Sequence, residues 1–136
     1  MITSTPYQRL GGEAALHSLV DRFYFYMDIL PETQAIRAMH QPDLSTANDK
    51  LFKFLSGWLG GPNLFIEQYG HPMLRARHLP FAIGAAERDQ WMLCMQKALA
   101  EINIDPHFRQ DFYNALYHLA NHMINQEPLV SITEVE

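Results

Sequence analysis

His78 lies in a segment whose residue types suit metal binding and carboxylate binding at the same place. Residues 70–81 read GHPMLRARHLPF, so that Arg75 and Arg77 come just before the histidine and a proline follows two positions after it. An imidazole nitrogen can form one strong bond to iron, and arginine side chains can hold carboxylates. These are the two requirements of a haem with its propionates. The alternative is a histidine that only packs or is solvated in a loop.

Three further side chains could act on the opposite side of such an iron. Tyr24, His40 and Trp91 can each donate a hydrogen bond, from a phenol, an imidazole and an indole. Donors of this kind stabilise the negative charge that develops on a bound diatomic ligand. A buried hydrogen bond to a charged group contributes about 1.5–3 kcal/mol, and about 1.4 kcal/mol corresponds to tenfold in a rate constant. Tyr24 and Trp91 could equally be ordinary core residues, since both lie at helical spacing.

Two other groups could carry chemistry elsewhere in the chain. His118 and His122 are spaced i, i+4, which can place two imidazoles on one helix face for zinc. No carboxylate or cysteine joins them at motif spacing, so we do not expect a metal there. Cys94, the single cysteine, has apolar neighbours and no positive partner in sequence. We therefore expect it to pack without thiol chemistry.

The composition is typical of one soluble domain. The chain has 136 residues, 48% of them hydrophobic and 18% charged, which suits a single core and argues against disorder. A net charge of −5 argues against nucleic-acid binding, which needs a basic face. One cysteine allows no disulfide framework, and neither a leader nor a bilayer-spanning apolar stretch is seen. We expect a cytoplasmic protein with a single domain over 1–136, its core at about 7–125 and its tail at 126–136.

Apolar residues recur at helical spacing almost throughout the chain. They predict a long helix after Gly11-Gly12, a short one at 32–39, one from an N-cap at Ser45 to Gly60, and two long ones at 85–102 and 106–125. Asp105-Pro106 supplies a cap and a first-turn proline for the last of these. No alternating strand pattern competes, so we expect an all-α fold with four main helices.

Residues 60–84 are the irregular part of the chain. They hold four of the seven glycines and three of the eight prolines. A loop of this length is uncommon in a compact domain unless it is functional. His78 lies inside it, and we expect this histidine on one short helical turn.

Four landmarks along the chain resemble the truncated haemoglobins, specifically their group II. They are, in order, Phe23-Tyr24, Phe54-Leu55 followed by Gly60-Gly61-Pro62, the segment 70–81, and Arg88-Asp89-Gln90-Trp91. One landmark alone would be weak evidence, but all four occur at the family's spacing, and the resemblance covers about residues 7–125. It implies an all-α truncated globin, a two-over-two helical sandwich around haem b.

The resemblance also implies roles for the candidate residues. His78 matches the proximal iron ligand, Tyr24 the distal tyrosine, and Trp91 the tryptophan that marks group II. His40 falls where the family has an aromatic residue or a histidine after the short helix. Ala47 falls where many globins place a distal gate histidine, and its methyl group cannot donate a hydrogen bond.

The other residues expected at the haem are cations and apolar side chains. Arg77 is the better propionate partner of the arginine pair, because the family usually keeps it, and Lys50 is a second candidate cation. Phe54, Leu51 and Phe81 are expected to contact the porphyrin.

Three functions remain open at this point. The leading hypothesis is a haem protein for binding or transport of dioxygen and other diatomic ligands, with an unidentified reductase as partner and neither nucleic acid nor membrane. The alternative is a haem enzyme with peroxidase-like activity or activity on nitric oxide or nitrite, because the distal groups could handle protons. No carboxylate that would make His78 strongly electron-donating is visible, however. The third is a sensor that acts through a partner, or a helical interaction module without haem.

Overall fold

The structure, a computed structural model, describes residues 4–126. Within that range every regular element is a helix, as the apolar spacing predicted. In chain order the helices are α1 (Pro6–Leu10), α2 (Gly12–Ile29), α3 (Gln34–Ala38), α4 (Ser45–Trp58), α5 (Leu64–Tyr69), α6 (Leu74–His78), α7 (Ala85–Ala100) and α8 (Pro106–Asn121), with a 3₁₀ turn at Pro31–Thr33 before α3. The expected tail lies, apart from Gln126, outside the described residues.

Helix α2 supplies the centre of the core. Its fully buried side chains follow the predicted three- and four-residue spacing, and they are Leu16, Leu19, Val20, Phe23 and Met27. Complete burial of a side chain of this size stabilises a fold by about 1.5–3 kcal/mol. Helix α2 packs against both α4 and α7, and α7 packs against α8. The four long helices thus share one hydrophobic core.

The chain enters α2 through two glycines with positive φ. Gly11 has φ 124° and Gly12 has φ 78°, conformations that a residue with a side chain rarely adopts. This explains the predicted break at the pair. The glycine pair also separates α2 from α1, a helix that the sequence pattern did not predict. Helix α1 begins with a capping box between Thr5 and Gln8.

The corner between α2 and α4 carries His40. The short helix predicted at 32–39 is confirmed as α3, and the 3₁₀ turn before it begins at Pro31. The predicted N-cap is wrong, because Leu44 occupies that position and Ser45 is already helical. The side chain of Asp43 accepts a hydrogen bond from the Ser45 amide at 2.9 Å, so this carboxylate, not the serine hydroxyl, satisfies a free amide where the helix begins.

The region 60–84 contains two short helices, and His78 lies on the second of them, α6, as the sequence predicted. Helix α5 packs against α4, and α6 ends at His78. The residue before α6 is Met73, whose φ of 46° is the one positive value found outside glycine in the part of the chain that the structure describes. Left-handed backbone of this kind is strained for a residue with a side chain.

Helices α7 and α8 begin where the sequence predicted. Asp105 accepts a hydrogen bond from the Phe108 amide at 3.0 Å, and Pro106 is the first residue of α8. Helix α8 ends at Asn121, earlier than the predicted end near Asn125. The residues after it turn back to the segment that follows His78. None of the helices within residues 4–126 is both long and apolar enough to cross a bilayer.

Candidate cofactor site

A cavity of about 630 Å³ opens between α4, α6, the first half of α7 and the last part of α8. Its volume falls in the range of small-molecule and cofactor sites. The side chains that the sequence predicted for the iron, for the distal ligand and for haem contact all line it, and they are Tyr24, His40, Lys50, Leu51, Phe54, Arg77, His78, Phe81 and Trp91. Residues that are far apart in sequence therefore meet at one place.

His78 is the last residue of α6, and its ring is fixed by its own helix. Its Nδ1 lies 2.6 Å from the carbonyl oxygen of Leu74. A carbonyl can only accept, so Nδ1 must carry the proton and donate it to this bond. In the neutral ring, Nε2 then keeps its lone pair, and this is the form in which histidine binds a metal. The tautomer of His78 therefore suits a metal ligand in the cavity.

Two cations line the cavity without a carboxylate partner among residues 4–126. The Arg77 guanidinium lies 5.3 Å from the centroid of the Phe65 ring, and its Nε donates to the carbonyl of Pro72. The Lys50 ammonium lies 5.4 Å from the centroid of the Tyr69 ring. Neither side chain forms an ion pair within the described part of the chain, so both charges are available to carboxylates such as propionates.

Arg75, the other member of the basic pair, points elsewhere. Its Nη1 donates to the backbone carbonyls of His122 and Ile124, at 2.8 and 3.0 Å. It does not line the cavity. The two arginines thus face different parts of the molecule, as expected for residues two positions apart on a helix.

Tyr24 reaches the cavity from the buried face of α2. Its side chain is almost fully buried, and its hydroxyl donates a hydrogen bond to the carbonyl of Ala47 on α4 at 3.2 Å. Burial raises the pKa of the Tyr24 hydroxyl well above its ordinary value, because the phenolate would lose its hydration. The hydroxyl therefore keeps its proton and stays a donor across the physiological range.

His40 lies beside Tyr24 at the corner after α3. The two ring centroids are 5.9 Å apart in an edge-to-face arrangement. Nδ1 of His40 donates to the carbonyl of Ile36 at 2.8 Å, so Nε2 of the neutral ring is an acceptor. The sequence suggested His40 as a hydrogen-bond donor. With this Nδ1 bond in place, Nε2 can donate only when the ring is protonated.

Trp91 completes this side of the cavity from α7. Its ring centroid lies 4.9 Å from that of Phe23, a fully buried residue of α2. Its indole N–H has no partner among the hydrogen bonds of residues 4–126, which leaves one donor available at the cavity wall.

The donor set and the lining together fit a haem. One imidazole offers a free nitrogen, two cations are available for carboxylates, and the rest of the wall is largely apolar or aromatic. A flat, mostly apolar cofactor with two carboxylates needs these features.

Comparisons with known proteins give a consistent result. The bacterial-like globin family matches residues 5–125. The cold-adapted truncated haemoglobin of the Antarctic marine bacterium Pseudoalteromonas haloplanktis is 45% identical, with a TM-score of 0.88 over 91% of this chain and 100% of that chain. The group II 2-on-2 haemoglobin of the plant pathogen Agrobacterium tumefaciens is 44% identical, with a TM-score of 0.89 over 93% and 98%. The truncated oxygen-avid haemoglobin of Bacillus subtilis is 38% identical, with a TM-score of 0.82 over 90% and 100%.

This chain belongs to the group II truncated haemoglobins. The resemblance seen in the sequence is thereby confirmed, and so is the two-over-two fold, because the structure superposes on solved members of the family over nearly its whole described length. Membership also implies a haem with its iron and globin-type ligand binding.

Several residues that line the cavity of this truncated haemoglobin were not assigned to the site from the sequence. Leu119, Ala120 and Met123 form one wall, and the helical spacing of apolar residues in α8 was their only signal. Arg88 also lines the cavity, but it is paired, since it donates to Asn121 and lies 3.0 Å from a carboxylate oxygen of Asp89. In sequence, a charged residue on a helix looks like any solvent-exposed residue, so nothing in the pattern indicated that Arg88 faces a cavity.

Two other candidates from the sequence, the histidine pair His118 and His122 and the thiol of Cys94, do not line the cavity. No three metal-binding side chains of histidine, cysteine or acidic type come together in residues 4–126. Cys94 is fully buried, and burial raises the pKa of its thiol to about 11. A thiol that resists deprotonation is a poor nucleophile, which is consistent with a purely packing role.

Proposed function

We propose that this truncated haemoglobin holds haem b through Nε2 of His78. The observation that carries the proposal is the hydrogen bond from Nδ1 of His78 to the Leu74 carbonyl, which leaves Nε2 as the free nitrogen at a cavity of cofactor size. Arg77 and Lys50 would hold the propionates, because both cations line this cavity and neither has a carboxylate partner in the described residues.

Apolar contact would add to the retention of the haem. Leu51 and Phe54 come from α4, and Phe81 follows α6, so they line the cavity from two sides. Phe54 is itself held in place by aromatic neighbours, since its ring centroid lies 6.4 Å from that of Trp58 and 6.3 Å from that of Phe65. A rigid aromatic wall suits a flat cofactor because little side-chain entropy is lost on binding.

We further propose that the site binds dioxygen and related diatomic ligands. When bound, the haem would supply an iron that binds such a ligand. The Tyr24 hydroxyl and the Trp91 indole N–H would each donate a hydrogen bond to it, and His40 would do so in its protonated form. The oxygen-avid relative from Bacillus subtilis supports this choice of ligand.

Ligand binding is favoured over enzymatic turnover by the partner of His78. A carboxylate on Nδ1 would make the ring a stronger electron donor, but the partner found is the backbone carbonyl of Leu74. Peroxide turnover with a reducing substrate, compared with free haemin, tests this alternative. A rate clearly above that of haemin would favour the enzyme. A reductase and a cytoplasmic location remain proposals, the latter because a single cysteine suits a reducing compartment.

Replacement of the proposed iron ligand tests the function directly. We expect His78→Ala to purify without haem or with an altered absorption spectrum of its ferric, ferrous and carbonyl forms, because no nitrogen replaces Nε2. His107→Ala is the matched control, since His107 is an exposed histidine on α8 that does not line the cavity. Spectra of His78→Ala that match those of His107→Ala and the unmodified protein would show that another residue holds the iron.

A further inference from the structure

Helix α6 holds His78 but has little to hold it in place by itself. It is five residues long, none of its residues is buried, and its N-cap residue Met73 provides no side-chain cap. Isolated helices of this length are not stable in water. The position of His78 must therefore depend on contacts that α6 makes with other parts of the chain.

Asn125, beyond the end of α8, bonds to the last residue of α6 and to the segment that follows it. Its side-chain nitrogen donates to the carbonyls of His78 and Phe81, at 3.2 and 2.8 Å. Its side-chain oxygen accepts from the amide of Ile83 at 3.0 Å, and its own amide donates to the carbonyl of Ile83 at 2.8 Å. One residue thus satisfies four backbone groups in the segment that begins at His78.

Arg75 makes the same connection from the opposite direction. Its side chain leaves α6 and donates to two carbonyls in the segment after α8, those of His122 and Ile124. The bonds of Asn125 and Arg75 therefore run both ways between residues 122–125 and the segment made of α6 and the residues after it as far as Ile83. We call this set of hydrogen bonds the α6–α8 clamp.

We propose that Asn125 and Arg75 are positioning residues that fix the orientation of His78 through the α6–α8 clamp. The clamp aims Nε2 of His78 into the cavity and so slows the loss of haem and sets the geometry of the histidine–iron bond. This inference rests on the proposed function, because it takes His78 as the iron ligand. Neither residue touches the cavity, so both act only through the helix that they hold.

Asn125→Asp separates this role from general packing. The substitution keeps the size of the side chain and the oxygen that accepts from Ile83, but it replaces the donor to His78 and Phe81 with an oxygen that faces two carbonyls. Asn114→Asp is the matched control on α8. Asn114 is exposed and only accepts a bond from Gln110, at 2.9 Å, so the same change of charge and shape leaves its hydrogen bond intact.

The measurements are the rate of haem transfer to excess apomyoglobin and the iron–histidine stretching band of the ferrous protein. We expect Asn125→Asp to lose haem about tenfold faster and to shift the band, since two hydrogen bonds are lost. Asn114→Asp should change the rate less than twofold and leave the band in place. Equal rates and equal bands in the two variants would overturn the proposal.

Arg75→Met provides a second route if Asn125→Asp fails to fold, as judged by far-ultraviolet circular dichroism. It keeps the aliphatic stem and removes the bonds to His122 and Ile124. We expect faster haem loss and a shifted band here too. An unchanged rate together with an unchanged band would again overturn the proposal.

Hydrogen exchange distinguishes failure of the clamp from failure of the proposed function. In Asn125→Ala the Ile83 amide loses its acceptor, so it should exchange at least tenfold faster than in the unmodified protein. Unchanged exchange would refute the clamp even if His78→Ala loses haem as expected. Faster exchange in Asn125→Ala, with normal haem spectra in His78→Ala, would refute His78 as the ligand while the clamp itself stands.

Discussion

On the side of Tyr24 the cavity wall consists of long helices with fully buried neighbours, whereas His78 ends a five-residue helix without a single buried residue. Tyr24 and Trp91 both lie against Phe23, with ring centroids 4.9 Å away in each case. His78 is held by hydrogen bonds to backbone groups instead. Packing fixes one half of the site, and hydrogen bonds fix the other.

This difference suits the two tasks. A donor must meet a small ligand at the right distance, and side chains locked by a close-packed core are positioned most accurately. A metal-binding histidine needs the right tautomer and direction, which hydrogen bonds to its ring and its helix can provide. We therefore expect substitutions on the two sides to have different consequences for stability and for ligand binding.

The largest effect should come from Phe23→Ala. Phe23 is fully buried and touches both distal aromatic residues, so its truncation should lower the free energy of unfolding by about 3–5 kcal/mol in urea titrations. Leu79→Ala, at the end of α6, is the comparison on the proximal side. Leu79 is 58% exposed, so its truncation should cost less than about 0.5 kcal/mol. Similar losses in the two variants would contradict the contrast between the two walls.

Tyr24→Phe and Trp91→Phe should speed dioxygen release by roughly tenfold to a hundredfold each, because each removes one donor to a polar ligand. Stopped-flow displacement of dioxygen measures this rate. Carbon monoxide release should change much less, since that ligand accepts hydrogen bonds poorly. Tyr113→Phe serves as control, because Tyr113 does not line the cavity. Unchanged dioxygen release in both distal variants would refute the hydrogen-bond argument.

The free energy of unfolding at alkaline pH should show how completely water is excluded from the Tyr24 hydroxyl. Burial raises the pKa of Tyr24 in the folded protein, so above about pH 10 the unfolded chain releases this proton while the folded one retains it. The unfolded state then binds fewer protons, and the free energy of unfolding must fall as pH rises. Tyr24→Phe should remove a slope of roughly 1 kcal/mol per pH unit between pH 10 and 11. Parallel curves for the two proteins would mean that water reaches the hydroxyl.

The smallest effect concerns the strained start of α6. Met73→Gly should raise the free energy of unfolding by roughly 0.5–1 kcal/mol, because glycine adopts a φ of 46° without strain. Leu79→Gly is the matched control, since Leu79 is equally exposed but has φ −56°. It should lose roughly 0.5–1 kcal/mol through unfolded-state entropy. A loss in both variants would show that Met73 is not strained.

The long helices were predictable because their burial follows a simple spacing. One buried face of α2 is predicted by the spacing of Leu16, Leu19 and Phe23. The start of α8 is predicted by Asp105-Pro106. Helices α1 and α5 are too short to display a period, so the apolar pattern did not reveal them. The cap at Ser45 was wrong because Ser45 is already helical, and the Asn48 amide, which a capping Ser45 side chain would have bonded, donates to the carbonyl of Leu44.

The residues of the cavity were predictable by type and by resemblance, but their hydrogen bonds were not. The side chain of Asn125 binds carbonyls 47 and 44 positions away, and no local pattern reports such a contact. The tautomers of His40 and His78 depend on carbonyls four residues earlier, which come within hydrogen-bond distance of the rings only once the helical turn has formed. The fold can therefore be predicted from the spacing of apolar residues, whereas the ring nitrogens that carry protons in His40 and His78 can be assigned only from the folded structure.

In the proposed site, the bond between Tyr24 and Ala47 makes ligand binding an exchange of hydrogen-bond partners. At 3.2 Å it is longer than the usual range for a hydroxyl donor, so it is weak, and the hydroxyl can exchange partners at small cost. With a diatomic ligand that accepts hydrogen bonds well, the new bond from Tyr24 is stronger than the bond to Ala47 that is lost. With a ligand that accepts poorly, the hydroxyl stays bonded to the Ala47 carbonyl. We therefore expect the Ala47 carbonyl to limit which ligands the Tyr24 hydroxyl stabilises. Only a ligand that accepts a hydrogen bond more strongly than this carbonyl gains from the hydroxyl, so the site can discriminate among gases of nearly equal size.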